Sequence, residues 1–333
     1  MPEGQVRRDV RRLPSDRIAE ILKTTACCVG YGVETTKCGH PNCLRTMQVG
    51  VGLPNTLEEA DAELTRTWAK RAEAGPFTSL GVFDRLVYDS LDPMATLAVC
   101  AGETEEIRLA TSIIAGPLRS TALLAKKAAT VDVLSDGRLT LGLALGARKD
   151  DYDAADSEFQ SRGARFTSQL DEFRRIWESD DIGPEPIQDG GPELLIGGYS
   201  DPSYKRVGHY GDGYIHGGGP PKIFAKEAEK AEAAWNEEGR PGEPALWGHG
   251  YFALGDEAAA DAGREYLFDY YDFTGPFAET IAEGLLTTPQ EIVQFIRGYE
   301  ERGCDELLLF PTVPDMEQYE RLETVVENEW SNA

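Results

Sequence analysis

Two glycine clusters carry the clearest chemistry in the sequence. Ile196-Gly197-Gly198-Tyr199-Ser200-Asp201-Pro202-Ser203 and His216-Gly217-Gly218-Gly219-Pro220 each lead from an apolar run into a helical one. Glycines let backbone amides approach an anion, a helix N-terminus adds partial positive charge, and Ser200 adds a hydroxyl. Either cluster alone reads most simply as a tight turn. Together, at the ends of consecutive strands, they point to a phosphate. A second group, Asp84-Arg85, ends another apolar run. Asp84 with Asp150 or Asp151 could form the carboxylate pair of a glycoside hydrolase. Acidic residues are so frequent here that this match carries little weight. Arg85 stays protonated near neutral pH, so it can bind an anion or make an ion pair but cannot act as a base.

Metal chemistry fits poorly. The four histidines, His40, His209, His216 and His249, are too few and too scattered for a multi-histidine centre. Cys28, Cys38, His40 and Cys43 lie close together, but a C-x4-C pair without a second CxxC is a weak zinc pattern. No metal site is expected. Cys100 and Cys304 sit in apolar contexts and read as buried thiols.

The elements that must position these residues repeat. From Met47 onward, short β-rich runs alternate with amphipathic helical stretches, the pattern of a parallel sheet covered by helices. The strands are expected at Met47–Leu53, Ser79–Phe83, Ile107–Ile114, Arg138–Leu145, Glu193–Ile196, Tyr214–His216, Leu246–Leu254 and Glu306–Pro311. Pro54-Asn55-Thr56 is read as opening the first helix, and Asp92-Pro93 as capping the second. The third runs from Ser120 to Gly137, with Leu123, Leu124, Ala128, Val131 and Leu134 on one face. Eight such units in 287 residues predict a (β/α)8 TIM barrel. A doubly wound sheet is the alternative, but its GxGxxG fingerprint is missing after the first strand. Residues 1–46 stand apart as an irregular, poorly packed extension with one short helix near 17–28. They carry eight basic and five acidic residues, net +3, against −28 for the remaining 47–333.

Composition narrows the function. The chain has 333 residues, 41% hydrophobic and 27% charged, with a net charge of −25. So acidic a chain has little cationic surplus for a nucleic-acid surface. No apolar run approaches the roughly 18 residues of a membrane span, and no secretory signal is visible. A cytoplasmic protein without nucleic-acid or membrane partners is expected.

The segment from Gly116 to Trp177, GPLRSTALLAKKAATVDVLSDGRLTLGLALGARKDDYDAADSEFQSRGARFTSQLDEFRRIW, resembles the luciferase-like flavin-dependent monooxygenases. Gly197–Ser200, Tyr210–Ile215 and the run from Leu285 to Pro311 extend the resemblance, which covers about Met47 to Val326. It implies a barrel, often dimeric, that holds reduced FMN or coenzyme F-420 across the strand C-termini. FMN members use molecular oxygen to oxidise an aldehyde, alkane, amine or sulfonate; F-420 members pass hydride without oxygen. Some relatives bind flavin without turnover.

By position, the resemblance places Thr111, Ser112, Ile113, Ile114 and Ala115 against the flavin ring, with a non-prolyl cis bond often found there. It places Gly146, Ala147 and Arg148 beside the ring. Arg119, Gly197, Gly198, Ser200, Gly217 and Gly218 fall at the phosphate end. F-420-dependent alcohol and sugar dehydrogenases carry Asp-His after strand two, where this chain has Asp84-Arg85. The expectation is therefore an FMN-dependent oxidoreductase acting with oxygen on a small organic substrate, with F-420-dependent hydride transfer and a non-catalytic flavin-binding barrel as alternatives. Asp84 and Arg85 are the candidate catalytic residues, and a homodimer is expected.

Overall fold

The structure, a computed structural model, describes residues 46–330. The expectations placed on the N-terminal extension, including the zinc pattern and the helix near 17–28, lie outside the described residues.

Nine strands form the sheet: β1 (Gln48–Gly52), β2 (Ser79–Val82), β3 (Arg108–Thr111), β4 (Ile114–Ala115), β5 (Leu139–Ala144), β6 (Glu193–Gly197), β7 (Gly213–Ile215), β8 (Ala245–Phe252) and β9 (Glu306–Pro311). All neighbours pair in parallel. β9 joins both β8 and β1, and β5 joins both β3 and β6, so the sheet closes. β4 only prolongs the β3 position, which leaves an eight-stranded barrel as expected.

The helices are α1 (Ala62–Ala74), α2 (Pro93–Glu103), α3 (Thr121–Leu134), α4 (Lys149–Ala154), α5 (Arg162–Trp177), α6 (Asp201–Tyr210), α7 (Pro221–Glu237), α8 (Glu257–Tyr270), α9 (Phe277–Glu283), α10 (Pro289–Glu300) and α11 (Met316–Val325). Local signals start them. Asp92 accepts from the Ala95 amide (2.9 Å) ahead of Pro93, and Thr288 forms a capping box with Glu291 at α10.

Strand alternation sorts the core into an outer layer under the helices and an inner one within the barrel. In β8, Trp247, His249 and Tyr251 point inward. Gly248 and Gly250 point out, where a Cβ would come within 2.4 Å of Tyr299 and 2.5 Å of Phe295 on α10. The inner layer includes Phe83, Leu195, Ile215, Trp247, Leu308 and Phe310. Below it Glu306 accepts from Thr78 Oγ1 (2.6 Å) and Ser79 Oγ, with Arg108 Nη1 at 3.6 Å. Burial pushes its carboxyl up.

Four expectations change. The first helix starts at Ala62, capped by Asp61, and not at Pro54. Asn55 instead exchanges two hydrogen bonds with the Phe83 backbone (2.9 and 3.0 Å), which pins this loop to the end of β2. The third strand is interrupted by a cis peptide between Ser112 and Ile113. The segment between β5 and α5, which shows no helical pattern in the sequence, contains α4. On α3, Leu124, Ala128 and Val131 are buried, whereas Leu123 and Leu134 face solvent.

Candidate active site

The C-terminal ends of the strands surround a cavity of about 400 Å³. β2 delivers Phe83, Asp84 and Arg85, and the β3–β4 break delivers Ser112, Ile113 and Ala115. Gly146, Ala147 and Arg148 follow β5, Gly197, Gly198 and Ser200 end β6, and Gly217 follows β7. Twelve of the sixteen sequence-derived candidates therefore share one cavity. Thr111, Ile114, Arg119 and Gly218 do not line it.

Each of the four has another occupation. Thr111 Oγ1 donates to Gly142 O (2.8 Å), and Ile114 is buried in the outer core. Gly218 has φ +83°, and a Cβ there would lie 2.9 Å from His249 Nε2. Arg119 makes a two-pronged ion pair with Asp84, Nη1 to Oδ2 at 2.6 Å and Nη2 to Oδ1 at 2.8 Å. Asp84 also accepts the Ala115 amide (3.0 Å) and is 1% exposed. It is a fastening between β2 and the β4 turn, with both oxygens committed.

The glycines expected to lie against a phosphate are also constrained by the chain itself. Gly198 has φ +134°, and a Cβ there would meet Ser203 Oγ at 2.4 Å. The space beside Gly198 is therefore filled by this chain's own Ser203 side chain. The α6 terminus has fewer free amides than expected too: Pro202 has none, and the Ser203 amide donates to Ser200 O (2.7 Å). The Ser200 and Ser203 hydroxyls, 3.0 Å apart, remain at the cavity wall.

Sequence reasoning missed several wall residues. His216 and His249 end β7 and sit in β8 respectively, and both line the cavity. Burial lowers His216 to about 4 and His249 to about 3, so both imidazoles are neutral at physiological pH. The alternation of Trp247-Gly248-His249-Gly250-Tyr251 was the available signal for the second. Arg162, at the start of α5, stacks on Phe159 at 3.6 Å and donates to its carbonyl (2.8 Å); no described carboxylate pairs with it. The segment after β8 adds Tyr270, Tyr271 and Phe273. Arg148 holds that segment down by donating to Tyr270 O (3.0 Å) with Asp272 at 3.4 Å. Among the described residues no cluster of three or more histidine, cysteine or acidic side chains is placed to hold a metal. No described helix is long and apolar enough to cross a membrane.

A closed parallel barrel with an aromatic-walled cavity at its strand C-termini defines a (β/α)8 enzyme. Residues 47–285 match the family described as luciferase-like monooxygenase, and the chain belongs to that family. The chain is 24% identical over 265 residues to the oxygenase component of a flavin-dependent trigonelline monooxygenase of Acinetobacter baylyi, covering 65% of this chain and 72% of that protein. In structure it resembles a monooxygenase from Streptomyces bottropensis with a TM-score of 0.71 at 19% identity, covering 86% of this chain and 99% of that one. An F-420-dependent secondary alcohol dehydrogenase matches with a TM-score of 0.71 at 19% identity, covering 85% and 98%. Flavin monooxygenases and F-420-dependent oxidoreductases thus share this fold.

Proposed function

We propose that the cavity binds reduced FMN and that the protein is a monooxygenase, oxidising a small organic substrate with molecular oxygen. One observation carries the reading. Among the described residues ten buried side-chain polar atoms lack a hydrogen-bond partner, and six belong to this cavity's wall: Nε and Nη1 of Arg85, Nε of Arg148 and Arg162, and Nε2 of His216 and His249. Buried polar groups are ordinarily satisfied, so such a concentration fits a site shaped for a polar ligand. Arg162, Ser200 and Ser203 would hold the phosphate, and Ser112 to Ala115 with Gly146 to Arg148 would flank the ring. Reduced FMN supplies the electrons that activate oxygen. Phe83, Tyr270 and Tyr271 would keep water away.

Anaerobic titration with FMN and with F-420, followed by oxygen uptake with reduced cofactor, tests this. Tight FMN binding and substrate-dependent oxygen uptake are expected; binding of F-420 alone would overturn the FMN assignment. The F-420 alternative needs a proton acceptor in place of the histidine missing after Asp84; His249 lines the cavity beside Ser112, but burial lowers it to about 3 and makes it a weak base.

We also propose a homodimer, supported by the exposed Val99 on α2 and Leu123 and Leu134 on α3. Light scattering should give twice the chain mass at micromolar concentration, and a monomer would exclude it. Residues 1–46 are proposed to be dispensable for cofactor binding; loss of FMN affinity in a chain beginning at Met47 would show otherwise.

A further inference from the structure

We propose that Arg85 anchors an anionic head group, so that the substrate is a small, mostly apolar molecule carrying one carboxylate or comparable oxyanion. This rests on the oxidoreductase reading above and names the substrate class for the same cavity.

The Arg85 side chain is only 4% exposed, yet much of its hydrogen-bonding capacity is unused. A guanidinium offers five N–H donors in a planar fork. Here Nη2 donates to Val87 O (2.9 Å), while Nε and Nη1 form no hydrogen bond. The Tyr88 and Tyr270 rings lie 4.7 and 5.2 Å from the guanidinium carbon and fix its plane. Structural arginines of this chain look different: Arg138 spends its donors on Ser135, Thr104 and Ile107, and Arg119 on Asp84.

The facing charges limit what can bind. Asp151 Oδ2 lies 3.3 Å from Nε, and Asp150 Oδ2 lies 3.9 Å from Nη2. The other Asp151 oxygen is spent on the Leu86 and Val87 amides (3.2 and 2.7 Å), and Asp150 is shared with Arg148 at 3.1 Å. Counting the exposed Asp272 beside Arg148, three carboxylates face two guanidiniums, which makes this corner a poor trap for a free inorganic anion. Affinity then needs an apolar body as well, and the walls supply one in Phe83, Tyr270, Tyr271 and Phe273. Planar rings suit an aromatic or alicyclic acid better than a flexible chain.

The test uses benzoate, its uncharged isostere benzamide, and acetate, titrated calorimetrically into the full-length protein with and without FMN. Wild type should bind benzoate more tightly than benzamide and should not bind acetate measurably. Arg85→Gln should weaken benzoate about 30-fold or more while leaving benzamide within a few-fold. Arg85→Lys, which keeps the charge but loses the fork, should fall between them. If Arg85→Gln loses its circular dichroism, the Arg85→Lys comparison decides. Equal benzoate affinity in wild type and either folded variant, or tighter binding of benzamide by wild type, overturns the inference. FMN and F-420 affinities from the same samples judge the cofactor reading separately: if neither binds, that reading fails whatever benzoate does.

Discussion

Ser112 Oγ lies 3.1 Å from His249 Nδ1, joining the end of β3 to β8 on the opposite side of the barrel. The contact crosses the floor of the cavity and ties the turn containing the cis peptide to an imidazole that burial keeps neutral. His216, on the neighbouring strand, is neutral for the same reason and sits near Tyr299 Oη (3.4 Å). The floor therefore contains two rings that an acidic medium would charge only at a cost.

The barrel should lose stability as pH falls below about 6.5. Both histidines have folded values, about 4 and about 3, below their ordinary 6.5, so the unfolded chain binds protons that the folded chain refuses. Stability from these groups is complete above pH 6.5 and is lost as pH falls toward those values. Between pH 6.5 and 5 each contributes a loss of about 2 kcal/mol. Urea unfolding of wild type and His216→Gln at pH 7.5 and pH 5 should show a smaller pH effect in the variant. Identical effects in the two proteins would mean that His216 is charged in the folded state.

Asp84→Asn should act on stability, not on binding. The carboxylate is buried, and both oxygens serve Arg119 and the Ala115 amide. Removing one partner of a buried pair costs about 3 kcal/mol, less whatever solvent recovers at the partly exposed Arg119. The urea midpoint should drop, while FMN affinity at low urea stays within about threefold of wild type. An unchanged midpoint with lost FMN affinity would instead place Asp84 in the binding machinery.

These relationships show what sequence could and could not reveal. The strands were legible because alternation and glycine stops repeat with the unit: Glu306–Pro311 was located to the residue, and Ser79–Phe83 to within one. The first helix was misplaced because Asn55 bonds a strand 28 residues away, which overrides its local preference for a helix start. Leu123 and Leu134 fitted a helical stripe on α3, but the stripe that packs is centred on Leu124, Ala128 and Val131. Gly197, Gly198, Gly217 and the Asp84-Arg85 pair, which line the cavity, were legible because each belongs to a local motif. His249 and Arg162 were not, because their meaning depends on strands and helices meeting around one cavity.

The proposed phosphate site gives the sharpest test. Gly198→Val is a poor probe, because its Cβ would strike Ser203 and disturb the turn with or without a ligand. Arg162→Gln is better. The guanidinium lines the cavity and has no described carboxylate partner, and its Nε lacks a hydrogen bond. Losing a charge-assisted hydrogen bond to phosphate costs about 1.5–3 kcal/mol, so FMN should bind roughly 10- to 100-fold more weakly. Riboflavin, which has no phosphate, should bind wild type and variant alike, and the gap between the two ligands should narrow in the variant. Ser203→Ala should show a smaller loss in the same direction. Salt should weaken FMN binding to wild type more than to Arg162→Gln, because only wild type places the cation there. If Arg162→Gln weakens riboflavin as much as FMN, the arginine supports the ring or the fold and the phosphate is held elsewhere.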